Sequence, residues 1–402
     1  MINKKKILYI HHGKGLGGAP LSLLYLIESL DKDLYDPVVL FLQDSEVIDL
    51  YKSKGIKTFG PLNLLDFPHS KIRWYRWYHP HLFLKTLFDS FKTYCRIAEY
   101  WFDKIKPNFV HLNTSSLTIW AKIAKNQNIP IVFHVREPLS NGYLGLRKMF
   151  ITKLVAQNSD FILPICKNDA KPWGNNTKVN IVYNAASPKK FNKNINYDDF
   201  LIKHNLKKDS PRILFVGGLS REKGTLIILK AFKKLLKIMP RVQLLVAGYF
   251  DLRLKSKVNL KRYFPAQRYK FQVKKALGDI NESIVFLGAI NNVPQAIAAS
   301  NIIVFPASQG HFARPIIEAG FMAKPVVASN LPPMDELVIN NKTGFLVDPF
   351  NYEDWMEKLH ALIINKKLNQ KMGQAAFDYC CSNFDVNDQI VKIEKIYKKI
   401  GI

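Results

Sequence analysis

The stretch from Asn301 to Pro349 constrains the fold most. Asn301-Ile302-Ile303-Val304-Phe305 is short, apolar after its first residue and closed by Pro306. Such a run fits a parallel strand buried on both faces. A loop follows, Ala307 to Ala313. Arg314-Pro315-Ile316-Ile317-Glu318-Ala319 then opens a helix, with Pro315 where a missing N–H costs nothing. A second buried strand comes next, Pro325-Val326-Val327-Ala328-Ser329. Strand, loop, helix and strand make a βαβ unit, whose helix N-terminus faces the carboxyl edge of a parallel sheet. Free N–H groups and the helix dipole at that edge suit an anionic ligand. Glu318 is expected in the first turn of the helix. A carboxylate beside a phosphate site needs another partner, and ribose hydroxyls supply one. The stretch reads as a site for a nucleoside diphosphate.

Length then sets how many such units fit. The 402 residues suffice for two α/β domains, and 48% hydrophobic residues can fill two cores. The 59 Lys and Arg outnumber 32 Asp and Glu, for a net charge of +27. That imbalance attracts polyanions: nucleic acid, anionic lipid or a phosphorylated substrate. Joint enrichment in Lys, Asn and Ile also fits compositional drift. Cys95, Cys166, Cys380 and Cys381 lack metal-ligand spacing and suit a reducing compartment. Ile7 to Ile10 is too short for a signal peptide. No window reaches the roughly 18 apolar residues of a spanning helix. The expectation is a cytoplasmic protein.

The first half alternates like the second. Ile7-Leu8-Tyr9-Ile10 is a strand running into His11-His12-Gly13-Lys14-Gly15-Leu16-Gly17-Gly18-Ala19-Pro20 and a helix from Leu21. This glycine-rich turn suits close approach to a phosphate, or simply a tight strand-to-helix turn. Val38–Leu42 and Phe109–Leu112 are further strands, and Asn113 to Ser116 is expected to cap the next helix. Ile129–Phe133 ends in His134-Val135-Arg136-Glu137, polar residues just beyond a strand where α/β ligands bind. Phe161–Pro164 and Ile181–Tyr183 complete this half. From Lys71 to Lys106, aromatic residues alternate with Lys and Arg, with helical spacing from Leu82 onward. Two readings fit equally: a helix lying on an anionic membrane, or one packed on the sheet with a solvated basic edge. In the second half, Arg212–Val216 leads into Gly217-Gly218-Leu219-Ser220-Arg221-Glu222-Lys223-Gly224-Thr225. Leu252–Lys275 is a basic loop and helix. Asp31-Lys32-Asp33 has metal-motif spacing but follows a helix, which makes it a surface turn. Two similar halves imply two facing Rossmann-like domains with a cleft between them.

Taken together and in order, these motifs resemble glycosyltransferase family 4. The carrying residues are Gly17-Gly18-Ala19-Pro20, His134, Tyr183-Asn184, Val216 to Gly224, Phe286-Leu287-Gly288, Arg314 to Ala319, Lys324 to Ser329 and Thr343 to Val347. The resemblance covers nearly the whole chain. It implies the GT-B fold: an acceptor-side domain over 1–190, a linker over 191–210 and a nucleotide-sugar-binding domain over 211–384. A final helix, 385–402, would return to the first domain. It also implies a retaining glycosyltransferase that needs neither metal nor cofactor and uses a UDP- or GDP-sugar as substrate. Its acceptor would be a saccharide or lipid-linked saccharide, and its place the inner face of the membrane, without nucleic acid.

By position, Lys223 would neutralise the donor diphosphate, a task for a flexible point charge. Glu318 would hold the ribose and His134 would contact the transferred sugar. Gly17, Gly18, Gly217 and Gly218 would admit the donor. The N–H groups around Pro315, Ile316 and Ile317 would meet the diphosphate. Two positions depart from the family pattern. Gly310 stands where the family usually has a first glutamate, and Gly218 where it commonly has arginine. Arg221 or Arg314 is the candidate replacement for the missing charge, and His311 for the missing glutamate. The same departures motivate an alternative, a non-catalytic GT-B subunit that binds a glycan or a partner protein.

Overall fold

The computed structural model describes residues 4–13, 15, 17–67, 80–253, 265–290 and 292–400. The chain divides into two compact units. One comprises Met1–Ala185 with Val386–Ile402, the other Ala186–Asp385. The stretch 191–210, expected as a linker, lies inside the second unit. It carries a short helix, Asp198–Lys203, that buries Phe200 and Leu201. Those two apolar side chains give an otherwise polar segment a reason to pack.

The first unit holds a parallel sheet of β1 (Lys5–His11), β2 (Tyr35–Phe41), β3 (Lys57–Phe59), β4 (Phe109–Leu112), β5 (Ile131–Val135) and β6 (Phe161–Pro164). Their order is β3-β2-β1-β4-β5-β6. Strand direction of winding reverses between β1 and β4, so the ligand crevice of this arrangement lies over their carboxyl ends. β3 is a three-residue edge strand with Lys57 exposed, too short and polar to announce itself in the sequence. Ile181–Tyr183 forms no strand; Val182 gives a single N–H to Pro164 O at 3.0 Å. The second unit repeats the plan with β7 (Arg212–Val216), β8 (Gln243–Ala247), β9 (Ile284–Gly288), β10 (Ile302–Phe305), β11 (Val326–Ser329) and β12 (Gly344–Val347). Their order, β12-β11-β10-β7-β8-β9, puts the reversal between β7 and β10.

Both cores follow from the apolar runs. Tyr9, Phe41 and Phe109 are fully buried in the first, and Phe215, Phe232 and Trp355 in the second. Full burial of one large apolar side chain contributes about 1.5–3 kcal/mol, so such cores hold without covalent ties, and the four cysteines are free. The last helix, Val386–Lys399, belongs to the first unit. Val386, Ile390, Ile393 and Tyr397 recur every three or four residues and pack on Ile7, Tyr9 and Phe109.

The aromatic and basic segment is helical from Pro80 to Ile105, with a π-turn over Thr93–Ile97. Its first half is inside out. Thr86, Asp89 and Thr93 are buried, while Leu84, Phe88 and Phe91 are exposed at 64%, 57% and 66%. The inward polar groups are satisfied: Asp89 accepts from Leu65 N–H at 2.9 Å and from Lys85 Nζ at 2.8 Å. Thr86 and Thr93 donate to the Leu82 and Asp89 carbonyls. Lys71, Arg73, Trp74, Tyr75, Arg76, Trp77 and Tyr78 lie outside the described residues, as do Lys255, Lys257, Lys261 and Arg262 of the second basic segment. Among the described residues no helix is long and apolar enough to cross a membrane.

Candidate functional site

In the first unit, polar side chains gather at the carboxyl ends of β1, β4 and β5. His134 sits inside β5, opposite Leu163 of β6, not beyond the strand as expected. Arg136 is the residue just beyond. Its Nε donates to Asn113 Oδ1 at 2.5 Å and a terminal nitrogen donates to Asn184 Oδ1 at 2.6 Å. Asn113 Nδ2 lies 3.1 Å from His11 Nδ1. Asn113 therefore ties strand ends together. It does not cap a helix: the next one, Thr118–Asn126, starts after Leu117 without a side-chain cap.

His134 Nδ1 is 3.1 Å from His111 Nε2, and His111 Nδ1 is 2.7 Å from the Tyr397 hydroxyl. Both rings are buried. Burial pushes both imidazole pKa values well below the ordinary histidine range, and Arg136 pushes them further. Each ring is thus neutral near pH 7, with one donor and one acceptor nitrogen. His134 Nε2 is buried with no partner among the described residues. Beside it lies a cavity of about 30 Å³ lined by Ser22, His134, Arg136, Tyr183, Asn184 and Gln389, among others. A water needs about 10–15 Å³ on this measure, so the cavity takes a hydroxyl group, not a whole sugar ring. Gly17 precedes the first turn of the helix Gly18–Ser29. Its only near neighbour for a Cβ is Pro20 Cδ at 3.9 Å, and Gly18 has none within 4 Å. Packing among the described residues does not call for glycine at either position.

In the second unit the loop after β7 is tightly braced. The N–H groups of Gly217 and Gly218 both donate to Ala247 O at 3.0 Å. They are committed within the protein, so these glycines serve close packing and not phosphate donation. Thr225 Oγ1 donates toward Gly218 O, at 2.7 Å, and Ser220 O, at 2.9 Å. Tyr269 reaches Ser220 O at 3.1 Å. Ser308, from the loop after β10, bonds Glu222 O through its N–H and Arg221 O through its hydroxyl. The two loops flanking the switch point are therefore stitched together. Arg221 and Lys223 project from this brace as exposed residues. Desolvation lowers the Lys223 pKa and Glu222 raises it.

Glu318 lies in the second turn of the helix Arg314–Phe321, not the first, since the helix starts only at Arg314. It is 3% exposed, and its carboxylate meets Arg314 Nε at 2.7 Å. The Nε edge of Arg314 is thus engaged by Glu318. Pro315 has no N–H, and the Ile316 N–H donates to Ala313 O at 3.1 Å. The helix end consequently offers fewer amides than the sequence suggests. At the two departures from the family pattern the backbone itself demands glycine. A Cβ at Gly310 would collide with the Pro332 carbonyl. Gly218 has φ +58°, and a Cβ there would come 2.5 Å from Tyr249 O. His311 Nδ1 donates to Gln309 O at 3.0 Å, and its ring packs 5.2 Å from Phe305.

Sequence reasoning overlooked His111 and Tyr397. A histidine inside the apolar run Phe109–Leu112 was the available signal for the first. Tyr397 lies 286 positions from His111, and nothing local links them.

Residues 196–379 match the family model described as Glycosyl transferases group 1. A glycosyltransferase of Haemophilus influenzae, itself uncharacterised, is 28% identical over 55% of this chain and 56% of its own length. The capsular polysaccharide biosynthesis glycosyltransferase CapM of Staphylococcus aureus is 25% identical over 42% of this chain and 41% of its own. The chain spans about half the length of the curated relatives it matches. Among solved structures, Anabaena HepE in complex with UDP and glucose superposes with a TM-score of 0.78 at 18% identity, over 98% of this chain and 99% of that one. A glycosyltransferase of Rickettsia africae gives 0.75 at 19%, over 99% of each. The chain has the GT-B fold, and its residues 196–379 match the group 1 glycosyl transferases.

Proposed function

We propose that the protein is a retaining glycosyltransferase. It moves a sugar from a UDP- or GDP-sugar to a hydroxyl of a saccharide or lipid-linked saccharide, without a metal, in bacterial surface polysaccharide or glycolipid assembly. The observation that carries this reading is Glu318: a buried carboxylate, oriented by Arg314, on the helix that follows a parallel strand at the switch point. That is a place for paired ribose hydroxyls. Lys223, on the braced loop alongside, takes the charge that develops on the departing diphosphate. One such preorganised group is typically worth about 2.7–4 kcal/mol of transition-state stabilisation. Attack comes from the acceptor hydroxyl on the face the diphosphate leaves. The HepE complex with UDP and glucose and the CapM relative support the donor class and the polysaccharide setting.

A hydrolysis screen across UDP-, GDP- and ADP-sugars tests the reading. One donor class is expected to be turned over. Lys223→Ala should lower that turnover ~100-fold with little change in melting temperature, because Lys223 is exposed. If no nucleotide sugar binds, and Lys223→Ala and Glu318→Ala leave function intact, the enzyme reading is wrong. Gly218 and Gly310 favour a second reading, a GT-B subunit that binds without catalysis. Its mark is saturable binding of nucleotide sugar with neither hydrolysis nor transfer.

The same reading places the protein on the inner face of the membrane. A helix that turns Leu84, Phe88 and Phe91 outward and hides Thr86 and Asp89 presents an apolar face to a non-aqueous neighbour. The net charge of +27 directs it to anionic lipid, not to a neutral surface. Flotation with anionic vesicles at two salt concentrations is expected to show binding that weakens with salt. Leu84→Ser with Phe91→Ser should weaken it about tenfold or more. Salt-insensitive or absent binding overturns the membrane assignment.

A further inference from the structure

The buried polar chain of the first unit has a direction, and that direction fixes what His134 offers a ligand. Four side chains are linked in sequence. The Tyr9 and Tyr397 hydroxyls are 3.0 Å apart, Tyr397 reaches His111 Nδ1 at 2.7 Å, and His111 Nε2 reaches His134 Nδ1 at 3.1 Å. Tyr9, His111 and Tyr397 are 0% exposed and His134 is 2% exposed. Both imidazoles are neutral, so each contributes one N–H and one lone pair.

Two directional proton arrangements fit; a third, in which the Tyr397 oxygen accepts from both Tyr9 and His111 Nδ1–H, leaves the Tyr397 proton without an acceptor among the described residues of the core. In the first, Tyr9 donates to Tyr397, Tyr397 to His111 Nδ1, and His111 Nε2–H to His134 Nδ1. The proton of His134 then sits on Nε2, facing the small cavity. In the second, every bond is reversed. The chain then ends on the Tyr9 hydroxyl proton, which has no acceptor among the described residues and lies in a core of Ile7, Tyr35 and Phe109. An unpaired donor in an apolar core is costly, and the second arrangement also leaves the His134 Nε2 lone pair unmatched. The first leaves one open group, on a ring that lines a small cavity.

We propose that Tyr397, from the last helix, and His111 are positioning residues that hold His134 as its Nε2–H tautomer, so that His134 meets an oxygen of the transferred sugar as a hydrogen-bond donor and never as a base. The sugar part rests on the donor reading above; the tautomer does not. The rings also pack: Tyr397 lies 4.6 Å from Phe109 and 5.7 Å from Tyr35, between ring centroids. Tyr397→Phe therefore keeps the packing and removes only the link.

Nitrogen-15 NMR of the histidine side chains in the full chain, without ligand, tests the tautomer. The expected result is His134 protonated on Nε2 in the wild type, and a mixture of tautomers at His134 in Tyr397→Phe. His134 protonated on Nδ1 in the wild type overturns the proposal with no variant needed. So does a folded Tyr397→Phe whose His134 resonances are unmoved. In a second arm, Tyr397→Phe is expected to weaken binding of the nucleotide sugar selected by the donor screen roughly tenfold, while binding of the free nucleoside diphosphate is unchanged. Equal weakening of both overturns the assignment of His134 to the sugar. If the tautomer is as expected and no nucleotide sugar binds, the donor reading fails and the positioning role stands.

Discussion

Glu318→Ala is expected to lower nucleotide-sugar turnover ~100-fold, because losing the ribose anchor misplaces the donor. It should also lower stability, and the two effects have different origins. Glu318 is 3% exposed and its partner Arg314 is 15% exposed by side chain. Removing one member of a buried pair strands the other charge, at about 3–5 kcal/mol. Partial exposure of Arg314 argues for the lower end. For a unit of this size, a loss of about 3 kcal/mol lowers the melting temperature by roughly 6–12 °C. A second substitution separates the causes. Adding Arg314→Met removes the stranded charge, so the double variant should regain most of the stability and none of the turnover. Thermal melts and turnover on wild type, Glu318→Ala, Arg314→Met and the double variant check this. Turnover within a few-fold of wild type in Glu318→Ala would remove Glu318 from the site.

The sheets were legible because a buried parallel strand writes itself as an unbroken apolar run. Ile302–Phe305, buried throughout, begins and ends where its run does. β3 was not legible, because an edge strand of three residues needs neighbours more than it needs composition. The site residues were legible singly and not in their relations. Glu318 stands out as a carboxylate on a helix after a strand, yet its contact with Arg314 Nε one turn earlier is seen only in the structure. Gly217 and Gly218 read as glycines that admit the donor, and only the structure shows that Ala247 O takes both of their N–H groups. His134 was visible as a polar residue at a strand end, whereas the chain that orients it needs β4 and the last helix side by side. The inverted helix Pro80–Lys92 shows the same limit. Its periodicity predicts a helix, but only burial tells which face looks inward.

Gly310→Glu, which restores the residue of the family pattern, is expected to damage the protein and not to raise turnover. The collision arises at the Cβ, before any charge is added: the Pro332 carbonyl occupies that space. Pro332 cannot retreat freely, because Leu331 N–H bonds Ser329 O and Met334 N–H bonds Leu331 O, each at 2.8 Å, and Met334 is fully buried. Either the 307–313 loop or the turn after β11 must shift. Forced backbone changes of this kind cost about 3 kcal/mol or more, a fall of roughly 6–12 °C. Gly310→Ala carries the same Cβ and should lose a similar amount, which assigns the cost to sterics and not to the carboxylate. Gly218→Arg follows the same logic. A left-handed backbone at φ +58° costs a non-glycine residue about 1–2 kcal/mol before its contact with Tyr249 O is counted. Both loops have thus been rebuilt around glycine, so neither family side chain can return by a single change. The cations near these loops are Lys223 and Arg221 on the braced loop and Arg314, whose Nε meets Glu318. If Gly310→Glu instead raised turnover while keeping the wild-type melting temperature, the loop would have to adapt without cost, and the case for a rebuilt site would collapse.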